Sequence, residues 1–467
     1  MIRSRPTLAF ALALALLLDA TATRADAPPR TAPADSAVTF TLATPEITEF
    51  KLSNGVQVFH VLRPDLPIVA VHVASSRGST SAEPGVAVLA SEAAVSSAYD
   101  AYWLRNRRRF NQRGARLDSD SHRDVTSVSG ETLSPNFPEL ADDLMEVLNA
   151  DYGDGDTISA ARQRRKSAIE HDARASGVPL AREALYPKAH PHAHAAEGSF
   201  ADLDAVSASA MRAFWANAFS AGSVTVAIVG AVSLDEARRV SERTFGTLPT
   251  RALPTPPASS ALTPLSPGPA ILLLDRPGAT QARVVVSGRA VEAKHRRRAA
   301  LRLALRLVQS ELQSRLVAGH GSSYEVTSSV DTGTAAPPFW LRSNVESVEA
   351  PGAVQEALAT IQQIRRGDFS PHWAARLALL LAVERSREFE TSGRAAKLIA
   401  GAMAQGMSFK AFAEQPALMA RVPKADAVAA ARDYLDPALL RVVVVGDASL
   451  LRPKLEALGL GTVTVRK

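Results

Sequence analysis

The sequence predicts an α+β protein of two duplicated domains, each a mainly antiparallel sheet with helices packed on it. Three observations lead there. The 467 residues, 46% of them hydrophobic, exceed what one compact core organises and suit two domains. Residues 249–269 carry seven prolines and little periodicity, the composition of a semi-extended linker. The stretches on either side of that linker close alike. Val224-Thr225-Val226-Ala227-Ile228-Val229-Gly230 and Arg441-Val442-Val443-Val444-Val445-Gly446 are both apolar strand runs stopped by glycine and followed by a helix start.

Taken in order, Arg3 and Arg5 precede the apolar run Thr7 to Leu18, and Ala20-Thr21-Ala22 and Ala25-Asp26-Ala27 both fit a signal-peptide cleavage site. Residues 1–27 are therefore expected to be an export signal, with a membrane anchor as the alternative reading. The mature protein is expected in the periplasm or outside the cell, with no stable membrane span. Residues 28–45 read as a loose Ala/Pro/Thr/Ser-rich leader, 46–248 as the first domain and 270–467 as the second. In the first domain, Arg63-Pro64 introduces a strand over Ile68–Ser75, and a helix over Ala208–Phe219 precedes the closing strand. In the second, Arg276-Pro277 introduces a strand over Gln281–Ser287, and a helix over Ala425–Leu435 precedes its closing strand. The helix Arg296–Val317 has leucines at 301, 303, 305, 307 and 312, which reads as a core helix whose arginines form a solvated outer face. The two copies are offset by 213 residues at the start and 216 at the end, a domain duplication and not a solenoid.

A net charge of +6 spread over this length is mild, and aromatics are only 5%, so neither a dense basic tail nor base-stacking platforms are present and no nucleic-acid partner is expected. Cysteine is absent, which excludes disulfides, thiolate metal sites and a cysteine nucleophile.

Several segments then match a known family in order. Leu52-Ser53-Asn54-Gly55-Val56-Gln57-Val58 resembles its opening hairpin. Gly114-Ala115-Arg116-Leu117-Asp118 with Asp124-Val125-Thr126 resembles its second strand pair, and Arg164 to Glu170 a helix region. His190-Pro191 with Glu197-Gly198, Asp275 to Gln281, and Val443 to Asp447 complete the set. The chain resembles the insulinase/pitrilysin family of zinc peptidases, the inverzincins, and is nearest in layout to the mitochondrial processing peptidase type. The resemblance covers about residues 46–460 and implies a clamshell half built of two such domains.

The family's chemistry rests on H-x-x-E-H, two histidines on one helix face that reach one zinc and a glutamate general base between them. That motif aligns without gaps on Gly85 to Glu92. It places Val88 at the first ligand, Ser91 at the base and Glu92 at the second ligand, and Glu170, 78 residues beyond Glu92, at the distal ligand. Valine offers no donor atom, and a serine hydroxyl does not replace a carboxylate base. Glu92 is expected to be solvated or ion-paired, and Glu170 to pair with Arg164 or Arg165. No intact catalytic or metal site and no cofactor are expected, zinc belonging to a partner subunit. His190-Pro191-His192-Ala193-His194 is the one histidine-dense spot, with a metal-binding reading beside the structural one. The resemblance also implies a substrate-binding Tyr/Arg pair in the second domain. Tyr324 takes the tyrosine position, and Arg315 lies two residues before the arginine position, which Val317 occupies.

The expected function is a non-catalytic subunit that binds extended peptide substrates and pairs with a zinc-bearing homologous peptidase subunit. The alternatives are a stand-alone envelope peptide-binding or scaffold protein, and an active peptidase with an unorthodox metal site.

Overall fold

Strands buried along their whole length need cover on both faces, and the central strands of this chain are of that kind. The computed structural model describes residues 45–100, 110–150, 155–188, 190–252, 265, 270–320, 325–333 and 336–466. The export segment, nearly all of the leader, most of the proline-rich linker and Tyr324 lie outside the described residues.

The first sheet contains β1 (Thr48–Lys51), β2 (Gln57–Leu62), β3 (Ile68–Ser75), β4 (Arg116–Ser121), β5 (Thr126–Leu133) and β6 (Val224–Gly230), in the order β1-β2-β6-β3-β5-β4. Only β2 and β6 run parallel. The second sheet contains β7 (Ala270–Asp275), β8 (Gln281–Arg289), β9 (Glu325–Val330), β10 (Pro338–Glu346), β11 (Arg441–Gly446) and β12 (Val463–Arg466), in the order β12-β7-β11-β8-β10-β9. Five places correspond between the sheets, with β7, β8, β9, β10 and β11 standing where β2, β3, β4, β5 and β6 stand. They differ at one edge, where β1 pairs antiparallel with β2 and β12 pairs parallel with β7.

Local chemistry sets two of the turns. Gly55 has φ +90° in the β1–β2 hairpin, and the preceding Asn54 donates from its amide to the carbonyls of Phe245 (2.9 Å) and Leu248 (3.1 Å). Gly230 ends β6 because its backbone lies against β3. A Cβ there would overlap the Ile68 carbonyl oxygen.

The first half carries α1 (Val86–Asp100), α2 (Phe137–Leu148), α3 (Gly155–Ser176), α4 (Val178–Leu185), α5 (Phe200–Ala205), α6 (Ala208–Ala218) and α7 (Leu234–Arg243). The second carries α8 (Arg298–His320), α9 (Ala350–Arg366), α10 (Pro371–Arg387), α11 (Ser392–Ala404), α12 (Phe409–Ala420), α13 (Lys424–Tyr434) and α14 (Ala448–Glu456). Among the described residues no helix is long and apolar enough to cross a membrane.

Strand periodicity divides each sheet into two faces. On one face of the first sheet, Val69, Val71, Val73, Val226 and Ile228 pack with Leu89, Leu144, Met211 and Trp215 of its own helices. On one face of the second, Val284, Val286, Leu341, Val442 and Val444 pack with Leu301, Leu305, Leu312 and Ile361. Helices on one face of each sheet are thus only part of the arrangement. Each opposite face is covered by a helix from the other half. Ala395, Ala396 and Ile399 of α11 lie on Phe59, Val61, Ala70 and Val229 of the first sheet. Val178 and Ala181 of α4 lie on Val285, Trp340 and Val443 of the second. The last turn of α4 is held there by Arg289, donating to the Leu185 carbonyl at 2.8 Å, and by Arg441, donating to that of Ala184 at 3.2 Å. Cations suit a helix C-terminus because its last carbonyls are unpaired and carry partial negative charge.

Candidate functional site

Helix α1 starts just after Gly85, whose φ of +84° fits a glycine. Its apolar residues Val86, Ala87, Leu89, Ala90 and Ala93 bury it beneath the first sheet. This fixes the neighbouring positions at 88, 91 and 92 beside edge strand β4 and helix α3, where they line a cavity of about 420 Å³. Val88 is buried, as is Ser91, whose hydroxyl oxygen has no hydrogen-bond partner. Glu92 meets Arg164 Nε at 2.6 Å and Arg165 Nη2 at 3.1 Å, and Arg164 also donates to Ser96 Oγ at 3.0 Å.

Glu92 is therefore an ion-paired helix residue. Arg164 and Arg165 are both bound to Glu92. All three acids and bases lie on the facing sides of α1 and α3, whereas Glu170 is exposed further along α3 and does not line this cavity. A zinc ion does not fit this donor set. One position has no donor atom, the second is a hydroxyl, and the third is a carboxylate already held by two guanidinium groups. Among the described residues, no group of three or more His, Asp or Glu side chains is placed to hold a metal ion.

The histidine-dense segment is packing. His190 and His192 are buried against Tyr186, with ring centroids 4.7 and 5.4 Å from it, and His190 Nδ1 accepts the backbone N–H of His192 at 3.1 Å. Tyr186 donates to the Ala336 carbonyl at 2.8 Å, so this knot joins the two halves. Burial, and then Arg289 and Arg123, hold the His190 pKa below its ordinary value. Arg315 donates to Glu311 and Glu356, each at 3.1 Å, and to Gln363 at 2.5 Å, between α8 and α9 and away from both cavities.

A second cavity, of about 900 Å³, lies between the halves, and His122, Arg165 and Glu197 line both cavities. Its first-sheet wall includes His72 of β3, whose pKa is pushed down to about 3 by burial and by Lys397, so the ring is neutral at physiological pH. At the junction, Asp120 of β4 bonds His122 at 2.8 Å and Lys397 of α11 at 3.2 Å. The His122 bond chiefly, with help from Lys397, holds the Asp120 carboxyl well below the usual carboxylate range.

The opposite wall corrects the sequence reading of α8. Arg298 is buried and Arg302 partly so, and both line the cavity where a solvated face was expected. They are joined there by Arg283 of β8 and Arg342 of β10. The signal was present as i, i+4 spacing between Arg298 and Arg302. Nothing in one helix reveals, however, that a second layer will close over its charged side.

Two facing copies of a six-stranded α+β half around a cavity are the fold of insulinase-type peptidase domains. Residues 205–373 match the family model described as the peptidase M16 inactive domain. No curated protein matches the sequence. The fold is similar to that of a peptidase M16 inactive domain from Pseudomonas fluorescens, with TM-score 0.75 and 17% identity over 86% of this chain and 98% of that one. It is also similar to a protease from Helicobacter pylori, with TM-score 0.74 and 16% identity over 86% of this chain and 100% of that one. For the periplasmic protease PqqL of Escherichia coli the TM-score is 0.68 and the identity 17%, over 91% of this chain and 47% of that one.

Proposed function

We propose that this chain is an exported, non-catalytic M16-like subunit that grips extended peptides and completes a peptide chamber with a zinc-bearing homologue. The observation that carries this reading is the state of the metal position. Val88, Ser91 and the doubly ion-paired Glu92 leave nothing to bind and activate a zinc-bound water, while the strand edge beside them is kept.

In the first sheet β4 is an edge strand beside β5, and an edge strand is where an extended peptide adds as a further strand. That mode of binding needs no metal. The 47% coverage of PqqL supports a second half supplied from outside, since this fold accounts for about half of that protease chain. PqqL is periplasmic, in keeping with the export signal read at residues 1–27.

The test is co-expression with a homologue bearing H-x-x-E-H, followed by light scattering for complex formation and a peptide-cleavage assay. A stable heterodimer that cleaves faster than the zinc-bearing chain alone supports the proposal. Equal cleavage by that chain alone, or stoichiometric zinc and turnover in this chain alone, overturns it.

A further inference from the structure

Among the described residues, the cavity between the halves is lined by ten Lys and Arg side chains against four Asp and Glu. That is a surplus of six cations at one place. Internal ion pairs do not remove it. Arg182 takes Asp331 at 2.5 Å and Arg385 takes Glu388 at 2.8 Å.

The four cations of the second-sheet wall are fixed by uncharged partners. Arg298 donates to the carbonyls of Val291 (2.6 Å), Val330 (2.8 Å) and Asp331 (2.8 Å), which orient the guanidinium without neutralising it. Arg283 donates to Asn344 Oδ1 at 2.9 Å. Arg302 lies 3.7 Å from the Met419 sulfur, and the two carboxylates that act on it, Glu384 and Glu388, are held by Arg306 and Arg385. Arg342 sits over the Trp340 ring at 5.5 Å, and its buried Nε has no hydrogen-bond partner. Burial lowers the pKa of Arg298 to about 10 and lowers those of Arg302 and Arg342, yet guanidinium groups in that range stay protonated at neutral pH. Charges placed together at low dielectric repel one another and lack hydration, a cost that an anionic occupant offsets.

We propose that this cavity receives acidic peptide segments, with Arg283, Arg298, Arg302 and Arg342 acting as the carboxylate-reading wall. The proposal rests on the peptide-gripping reading above and assigns it a substrate class. A peptide is favoured over nucleic acid because no described residue of the cavity lining is a Phe, Tyr or Trp on which bases could stack. The cavity is also continuous, through His122, Arg165 and Glu197, with the space beside edge strand β4. A peptide laid along that edge would carry its flanking side chains into the basic wall.

The experiment is fluorescence anisotropy on the full chain with three labelled peptides of one scaffold, bearing four Glu, four Gln or four Lys, at low and high salt. Oligo-dT serves as a fourth probe. The Glu peptide is expected to bind about tenfold or more tighter than the Gln peptide, with the preference lost at high salt. Arg302→Gln and Arg342→Gln should each erode that preference, Arg394→Gln at the exposed rim should do so without disturbing the core, and Arg452→Gln on the outer surface should leave it intact. Equal binding of the Glu, Gln and Lys peptides overturns the charge inference and leaves the peptide-gripping function standing. No binding of any peptide, alone or with the zinc-bearing homologue, overturns both. Oligo-dT binding tighter than the Glu peptide overturns the assignment to peptides.

Discussion

Ile399 is the central contact of α11 on the first sheet. It is fully buried among Phe59, Val61, Ala70 and Val229, side chains that come from the other half of the sequence. Ile399→Ala removes three carbon atoms. At about 0.8 kcal/mol for each, the lost transfer energy is about 2.4 kcal/mol. The vacated space lies between a sheet and a helix that are each held by further contacts, so it collapses only in part. A cavity contribution then raises the expected cost to about 3 kcal/mol, within the range for such truncations. The assay is urea unfolding followed by tryptophan fluorescence and far-UV circular dichroism, since Trp215 and Trp340 report on the two halves. Because α4 and α11 each cross to the opposite sheet, both signals should move together to a lower midpoint in a single transition. A loss below about 1 kcal/mol, or a biphasic melt in which the fluorescence and circular-dichroism midpoints separate, would refute the reasoning.

Three other outcomes are expected. Gly230→Ala forces a Cβ onto the Ile68 carbonyl at a φ of +154° and should cost about 2 kcal/mol or more, and an unchanged thermal midpoint would contradict the close approach. His72 has a folded pKa of about 3 against an ordinary 6.5, so as pH falls below 6.5 the unfolded chain takes up a proton that the folded chain refuses. Stability should therefore decline by up to about 1.4 kcal/mol per pH unit on this account, and His72→Gln should flatten the profile between pH 6 and 4 in urea melts, whereas an unaltered slope counts against it. Glu92→Gln leaves Arg164 and Arg165 without their carboxylate, but Arg164 is half exposed and screened. The stability loss should stay near or below about 1 kcal/mol, and zinc bound after dialysis should be substoichiometric with or without the substitution.

Much of the fold is legible in the sequence because strand runs, glycine stops and the repeat offset are local signals. Ile68–Ser75 forms a strand with the expected bounds, and the helix expected over Ala208–Phe219 runs to Ala218. The lack of a donor atom at Val88 is readable too, since an aliphatic side chain needs no coordinates to interpret. What escapes the sequence is tertiary. The crossing of α4 and α11 depends on which sheet face each meets, and both helices look like ordinary members of their own half. The partner of Arg164 and Arg165 is decided by how α1 and α3 lie against each other, which brings Glu92 to them. The burial of Arg298 and Arg302 follows from second-half neighbours, the carbonyls of Val291, Val330 and Asp331 and the helices α10 and α12, so a charged helix face that reads as solvated becomes a wall.

The crossing of α4 and α11 also bears on how such a chain could arise. Val178 and Ser392, which begin the two helices, are 214 residues apart, inside the repeat offset, so they are equivalent parts of the duplication. A single ancestral unit would have left one sheet face bare until a second copy laid its matching helix across it. That is the geometry of an isologous pair of identical protomers, each lending its helix to the other's sheet, with an apolar exchanged face on both.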